Sequence, residues 1–257
     1  RYGLGNYIAP SPDKPPSQQE AKHIEDLSRA GNRLLGFCRT GLFKRLESSG
    51  AVFLLSLERH IVRNYVYMHA IENGLPIPIG TQDVTMLDSR VYDEDTDDVH
   101  ARLAFEEEGN ENQNNARQQP LRTPEQFRAK AKEVYDFFVK HAKGRFKWLR
   151  ADLFIKDLCA DLESDAKSLQ KILKSAGDWN PAADTKLQTL LQQLTKTHSG
   201  EKVIIFTQFA DTARYIERQL TAQHVDRIAS ATGDSSDPTL LTWRFSPVSN
   251  GKRDQIS

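Results

Sequence analysis

The sequence predicts an α/β protein, with a mostly helical N-terminal region followed by an incomplete parallel βα lobe. Apolar residues recur at helical spacing through most of residues 1–180, which is typical of amphipathic helices. From residue 181 onward, an amphipathic helix, an apolar run, a second helix and another short apolar run follow one another closely. That order predicts a βαβ unit with a right-handed crossover. We therefore expect a helical domain over residues 1–180 and a partial lobe over residues 181–257.

The second region is centred on EKVIIFTQF at 201–209. Val203 to Phe206 is fully apolar and rich in β-branched residues, as expected of a strand buried on both faces of a parallel sheet. Helices are predicted at 182–197 and 211–223, and a second short strand at 225–229.

Composition excludes few function classes. Lys+Arg and Asp+Glu both number 35, so net charge does not indicate nucleic acid, although a local basic face can still bind it. Cys38 and Cys159 lack metal-ligand spacing, and we interpret them as reduced core residues. Because the sequence shows neither a secretory signal nor a membrane-spanning apolar run, we expect a cytoplasmic protein. Its start at Arg1 suggests a fragment of a longer chain.

The N-terminal region is predicted to contain two long helices. Ser17 opens the first, and Glu20 completes a capping box. A break is expected around Gly36 to Gly41, and the second helix should end at Asn73 to Pro76. Basic side chains on these helices could line a phosphate backbone, but a solvated, partly salt-bridged face is the commoner explanation. These residues are Arg39, Lys44, Arg45, Arg59 and Arg63.

Residues near 88–120 have a different character. An acidic run at 93–98 and three glutamates at 106–108 precede a stretch rich in glycine, asparagine and glutamine. We predict a solvated, mobile insertion. A divalent-metal site is the alternative, but the run lacks the glycine and ligand alternation of a calcium loop, and we predict no metal site.

Three further helices are predicted before the second region. Thr123 and Pro124 start the first of them. The others should cover 148–162 and 164–176, the last ended by Gly177.

No catalytic constellation is visible in the sequence. It contains no GxxxxGK[ST] phosphate loop and no HExxH, CxxC or GxSxG motif. The seven histidines are scattered, and a histidine without a partner is far more often a surface or packed residue than a catalytic one. We therefore predict no catalytic residue in this chain.

The ends of the two predicted strands are the candidate binding site. Thr207 and Gln208 follow the first strand, and Thr232 and Gly233 follow the second. Open α/β sheets bind ligands at the carboxyl ends of their strands, where hydroxyl and amide groups can bond phosphate without reading sequence. The alternatives are helix capping for the first pair and an ordinary βα turn for the second.

Four short segments between Asp184 and Phe245 resemble, in their order along the chain, the opening of the second RecA-like lobe of superfamily 2 helicases. The likeness is closest to the Swi/Snf-like and RapA-like DNA translocases. An additional stretch, Arg39 to Ser49, looks like the helical segment between the lobes of bacterial members. The lobe segments are Asp184-Thr185-Lys186-Leu187, Phe206-Thr207-Gln208-Phe209, Thr232-Gly233-Asp234 and Trp243-Arg244-Phe245. Asp234 stands where the family usually has serine or threonine.

The resemblance implies a piece of a bacterial ATP-dependent DNA helicase or translocase, comprising the helical inter-lobe region and the start of lobe two. Lys186, Thr207, Gln208, Thr232 and Gly233 would contact the backbone of double-stranded DNA. ATP and magnesium would bind the parent protein, whose first lobe carries the Walker motifs. The fragment alone would bind neither and would be inactive without the remaining lobe segments. The alternative function is a non-enzymatic helical scaffold that binds a protein partner.

Overall fold

A computed structural model describes residues 3–79, 120–141, 143–233, 235 and 237–255. The side chains of 29–38 and 145 are excluded from that description. The predicted acidic insertion, with its alternative metal site at 93–98, therefore lies outside the described residues, as does Asp234.

The chain divides into two compact units. The first unit comprises Arg1–Lys44 and Phe53–Gly177, and the second comprises Arg45–Val52 and Asp178–Ser257. Residues 45–52, which the sequence assigned to the helical region, thus belong to the second unit. They include the junction between the two long N-terminal helices, which we call the elbow.

The two long helices are α1, Gln18–Ser48, and α2, Gly50–Glu72. The predicted capping box is confirmed, because the Ser17 amide donates to Glu20 Oε2 (2.8 Å) and the Glu20 amide donates to Ser17 Oγ (3.2 Å). The break expected between residues 36 and 41 is wrong, since α1 runs through both glycines. Each interior glycine costs a helix only about 1 kcal/mol, and neighbouring turns outweigh that cost.

The predicted end of α2 is confirmed. Gly74 takes a left-handed conformation with φ 62°, and the Leu75 amide donates to the Ala70 carbonyl at 2.8 Å. This is the glycine-terminated helix end in which free carbonyls of the last turn gain donors.

The described part of the first unit contains two further α-helices: α3, Pro124–His141, and α4, Asp157–Ala176. The predicted start of α3 is confirmed by a second reciprocal cap. The Thr123 amide donates to Gln126 Oε1 (3.0 Å), and the Gln126 amide donates to Thr123 Oγ1 (3.3 Å). Gly177 ends α4 as predicted, with φ 65°.

The helix expected over 148–162 is partly wrong, because its first half forms other structure. Strand β2, Lys147–Leu149, pairs antiparallel with β1, Ile77–Ile79. Trp148 and Leu149 lie opposite Pro78 and Ile77 in this register. A helical pattern in so short an apolar run cannot be distinguished from a strand by periodicity, and tertiary pairing decides between them.

A large apolar core fills the first unit. It draws fully enclosed side chains from α2, α3, α4 and both strands. These side chains include Leu57, Ile61, Ile77, Ile79, Phe127, Leu149, Leu158 and Leu162. None of the helices in the described part of the chain is both long and apolar enough to cross a membrane.

Beyond the elbow, the described part of the second unit contains three α-helices: α5, Thr185–Gln192, α6, Ala210–Ala222, and α7, Pro238–Phe245. A π-helical turn, Gln193–Thr197, continues α5. The core of this unit is small, with buried Val52, Leu187 and Tyr215 at its centre and Ala51, Leu191 and Ile216 packed around them.

The strands predicted at 203–206 and 225–229 are not formed in the described structure. Ile204 is 59% exposed and Phe206 is 91% exposed, so the apolar run is not buried as expected. A strand needs a neighbour to satisfy its amides and carbonyls, and the described residues supply none to this run. The described chain is mostly helical, and its sheet is the antiparallel pair of β1 and β2.

Candidate functional site

The last turn of α1 belongs to the second unit and contacts two of the predicted site residues. Lys186 Nζ donates a hydrogen bond to the Glu47 carbonyl. Ser48 Oγ lies 2.9 Å from Thr212 Oγ1 and 3.5 Å from Thr207 Oγ1. The contacts of Lys186 with Glu47 and of Thr207 with Ser48 join residues that are 139 and 159 positions apart in the sequence. The fold therefore brings Lys186 and Thr207 to the same helical turn.

Lys186 has a structural role at this position. The carbonyls at a helix C-terminus lack intrahelical donors and carry partial negative charge. The Lys186 ammonium supplies a donor and a positive charge to the end of α1. Its own helix, α5, is capped by Asp184, whose Oδ1 accepts from the Leu187 amide at 3.1 Å.

The Thr207-Gln208-Phe209 segment, which we call the entry loop, leads into α6. Thr207 is half-buried, Gln208 is exposed and Phe209 is only 6% exposed. The N-cap residue of α6 is Phe209, which makes no side-chain cap hydrogen bond. Thr207 and Gln208 therefore do not occupy the N-cap position that was the alternative role for this pair.

Arg45 fixes the inner end of the entry loop. Its guanidinium carbon lies 4.7 Å from the centre of the Phe209 ring, a distance at which cation–π attraction operates. Arg45 Nη1 also lies 3.6 Å from Asp211 Oδ2, with both side chains largely buried. Arg45 and Arg59 are buried, so neither belongs to the solvated basic face expected from the sequence.

Thr232 and Gly233 lie in a turn beyond α6. The Thr232 amide donates to Ser235 Oγ at 2.8 Å, and the Ser235 amide donates to the Thr232 carbonyl at 3.0 Å. Just upstream, the amide and hydroxyl of Ser230 donate to the Glu217 carboxylate of α6 at 3.1 and 2.6 Å. Hydrogen bonds to α6 thus hold the segment that carries this turn.

The predicted site places Thr207-Gln208 and Thr232-Gly233 at the ends of two strands of one sheet. That sheet edge is not formed in the described structure, because the strands predicted at 203–206 and 225–229 are not formed. Instead, α6 connects them within the second unit. Thr207 and Gln208 precede its first turn, and the segment leading to Thr232 is bonded to Glu217 farther along it. Gln208 and Gly233 are both exposed.

A hydrogen-bond relay, which sequence reasoning missed, supports the other side of the elbow. Trp179 Nε1 donates to the Tyr215 hydroxyl at 2.9 Å, and that hydroxyl donates to Asp184 Oδ2 at 2.9 Å. Burial, with a smaller contribution from the hydrogen bond to Asp184, raises the pKa of Tyr215 to about 12. The phenol therefore keeps the proton that it donates to Asp184.

Gly50 allows the Trp179 ring to pack against the elbow. A Cβ atom at residue 50 would lie 2.2 Å from the Trp179 ring, well inside van der Waals contact. Neither Trp179 nor Ser48 carries a local sequence signal for its role, because its partners are distant in the chain.

The described residues offer no metal centre. No group of three or more histidine, cysteine, aspartate and glutamate side chains could hold a metal ion in the part of the chain that the structure describes. Cys159 is a free, half-buried thiol. Burial raises its pKa, and Glu72 and Glu163 raise it further, so the reactive thiolate form is disfavoured.

The candidate site offers groups that bind oxygen-rich ligands. The predicted residues provide two hydroxyls, one amide, one ammonium and a glycine backbone. These groups bind phosphate and sugar oxygens without base readout. Comparisons with family models, curated proteins and solved structures found no match to this chain.

Proposed function

We propose that this chain is part of a bacterial ATP-dependent DNA translocase of the Swi/Snf-like or RapA-like kind. It would contribute the helical inter-lobe region and the start of the RecA-like second lobe. The observation that carries the proposal is a convergence within the second unit. The end of the inter-lobe-like segment, at Glu47 and Ser48, contacts both Lys186 and Thr207. Three segments that resemble parts of one motor are thus packed together, although they are far apart in sequence.

The proposed ligand is the backbone of double-stranded DNA. Gln208 and Gly233 are exposed, and Thr207 lies beside Gln208 in the entry loop. Amide and hydroxyl groups in such positions can bond phosphate oxygens of any sequence. Lys186 would act chiefly through its charge, since its ammonium already bonds the end of α1.

A further part of the proposal concerns the fold around the exposed apolar run at 203–206. We propose that Val203 to Phe206 forms a central strand of a parallel sheet whose other strands lie elsewhere in the parent protein. The 91% exposure of Phe206 supports this, because each Å² of apolar surface withdrawn from water contributes about 25 cal/mol. Neighbouring strands would also satisfy the backbone groups of the run.

ATP and magnesium belong, in this proposal, to the Walker motifs of the parent protein's first lobe. This chain contains no phosphate loop. We therefore expect the chain alone to show no ATPase activity, with or without DNA. Robust DNA-stimulated turnover by the purified chain would contradict that expectation.

DNA binding by this chain tests the proposal. The probe is a fluorescently labelled duplex, titrated with the chain and followed by anisotropy from about 50 to 200 mM salt. We expect salt-sensitive binding that is weakened in the double variant Gln208→Ala/Thr232→Ala. The matched control is Gln192→Ala/Thr197→Ala, which removes the same residue types from exposed positions of the same unit. Equal curves for wild type and both double variants would remove the candidate site.

A protein-binding scaffold is the second candidate function. The specific observation in its favour is the exposed run Val203 to Phe206, which a partner protein could also cover. If the folded chain does not bind duplex DNA at low salt, the scaffold becomes the better explanation.

A further inference from the structure

The entry loop is held at both of its ends by the last turn of α1. Phe209 is buried and stacks beneath Arg45. Thr207, at the other end, has its hydroxyl 3.5 Å from Ser48 Oγ. Gln208 lies between these two points and is exposed. The loop is therefore fixed on either side of the side chain that it presents to solvent.

Ser48 is itself held by a buried partner. Its hydroxyl lies 2.9 Å from that of Thr212, which is buried in the first turn of α6. A serine hydroxyl can donate one hydrogen bond and accept two, so Ser48 can bond Thr212 and Thr207 together. The distance to Thr207 is at the outer limit for a hydrogen bond, so its contribution is small and directional.

We infer that Ser48 is a positioning residue for the proposed DNA contact. It relays the fixed position of Thr212 to Thr207 and thereby orients Thr207 and Gln208 toward the phosphate backbone. Arg45 does the same for the inner end of the loop through Phe209. This inference rests on the proposed function, and it extends that function to a half-buried side chain outside the predicted contact set.

A purely structural role for Ser48 makes a different prediction. If Ser48 only joins α1 to α6, its removal lowers the stability of the second unit and leaves the DNA affinity of the folded protein unchanged. If it positions the loop, affinity falls because the loop must be ordered when DNA binds. The two roles separate when affinity is measured on protein shown to be folded by circular dichroism.

The experiment is a double-mutant cycle with Ser48→Ala and Thr207→Ala, read by anisotropy with the labelled duplex. We expect Ser48→Ala to weaken binding about two- to fivefold, as for one lost ordering contact. Ser48→Thr, which keeps the hydroxyl, should bind as wild type does. In the Thr207→Ala background, Ser48→Ala should have no further effect, since the two residues act as one unit. Ser168→Ala is the control: its hydroxyl bonds only the Ser164 carbonyl among the described contacts (3.0 Å).

Thr212→Val provides a second variant if Ser48→Ala does not fold. It keeps the side-chain shape and removes the hydroxyl that holds Ser48, so it should weaken binding in the same direction. The inference is overturned if Thr207→Ala weakens binding while Ser48→Ala and Thr212→Val do not. It is also overturned if Ser48→Ala costs as much in the Thr207→Ala background as in wild type. If wild type binds no DNA, the proposed function fails, and the inference fails with it.

Discussion

The first unit encloses side chains from four described helices and both strands in one apolar core, whereas the apolar cluster of the second unit is small and centred on Val52, Leu187 and Tyr215. Polar contacts around the elbow compensate in the second unit. Arg45 forms an ion pair with Asp211, and Ser48 lies against Thr212. A unit with few buried apolar contacts opens more readily than one with many. The comparison teaches that the second unit is held by specific contacts and leaves apolar surface uncovered.

The largest expected effect on stability distinguishes a buried phenylalanine of the first unit, Phe127, from an exposed one of the second unit, Phe206. Phe127 is fully buried and stacked on Tyr65, with ring centroids 5.8 Å apart. Phe127→Ala should lower the free energy of unfolding of the first unit by about 3–5 kcal/mol. Phe206→Ala, at a position 91% exposed, should change stability by less than about 0.5 kcal/mol. Urea denaturation followed by circular dichroism measures both free energies of unfolding. Similar losses of stability in the two variants would contradict the difference between the units.

Gly50→Ala should destabilise the second unit, because its Cβ would meet the Trp179 ring at 2.2 Å. The expected cost is about 1–3 kcal/mol, as for overpacking. Gly41→Ala is the matched control: nothing lies within 4 Å of a Cβ atom there, and the change should stabilise α1 by up to about 1 kcal/mol. Thermal unfolding distinguishes the two signs. A stabilising Gly50→Ala would show that Trp179 does not pack against the elbow.

Tyr215→Phe should lower the free energy of unfolding by about 1 kcal/mol, because it removes the hydroxyl that links Trp179 to Asp184. The matched control is Tyr135→Phe in the first unit, which removes a single bond to the Pro76 carbonyl (2.9 Å). Chemical denaturation provides the values. Because Trp179 loses its partner, its fluorescence should shift in Tyr215→Phe and stay unchanged in Tyr135→Phe.

A smaller effect is expected on the pH dependence of the stability of the second unit. The pKa of Tyr215 is raised to about 12 by burial, above its usual value of 10.0. Protonated Tyr215 therefore stabilises the folded state fully below pH 10, and that contribution is lost as pH rises from about 10 through about 12. Tyr215→Phe should remove this component of the unfolding profile. An unchanged alkaline loss in the variant would assign it to other groups.

Local signals were sufficient for the helix ends, and distant contacts were not predictable from them. The caps at Ser17 and Thr123 and the glycine end at Gly177 depend on residues within four positions, so the sequence contains all that decides them. Ser48 meets Thr207 across 159 positions, and no local pattern encodes that contact. The apolar run at 203–206 illustrates a different limit. Its pattern predicts a buried strand, but a strand forms only where neighbours pair with it.

Amide hydrogen exchange along Val203 to Phe206 tests the central claim most directly. In this chain, these amides should exchange as fast as those of an unstructured peptide, because the described residues offer them no backbone acceptors. The amides of Ile61 to Val66, in the mostly buried middle of α2, should be protected and act as the internal reference. In the proposed full-length translocase, the parallel sheet should slow exchange in the run by at least about a hundredfold, as for a strand with stable partners. Fast exchange in both proteins would contradict the proposed lobe.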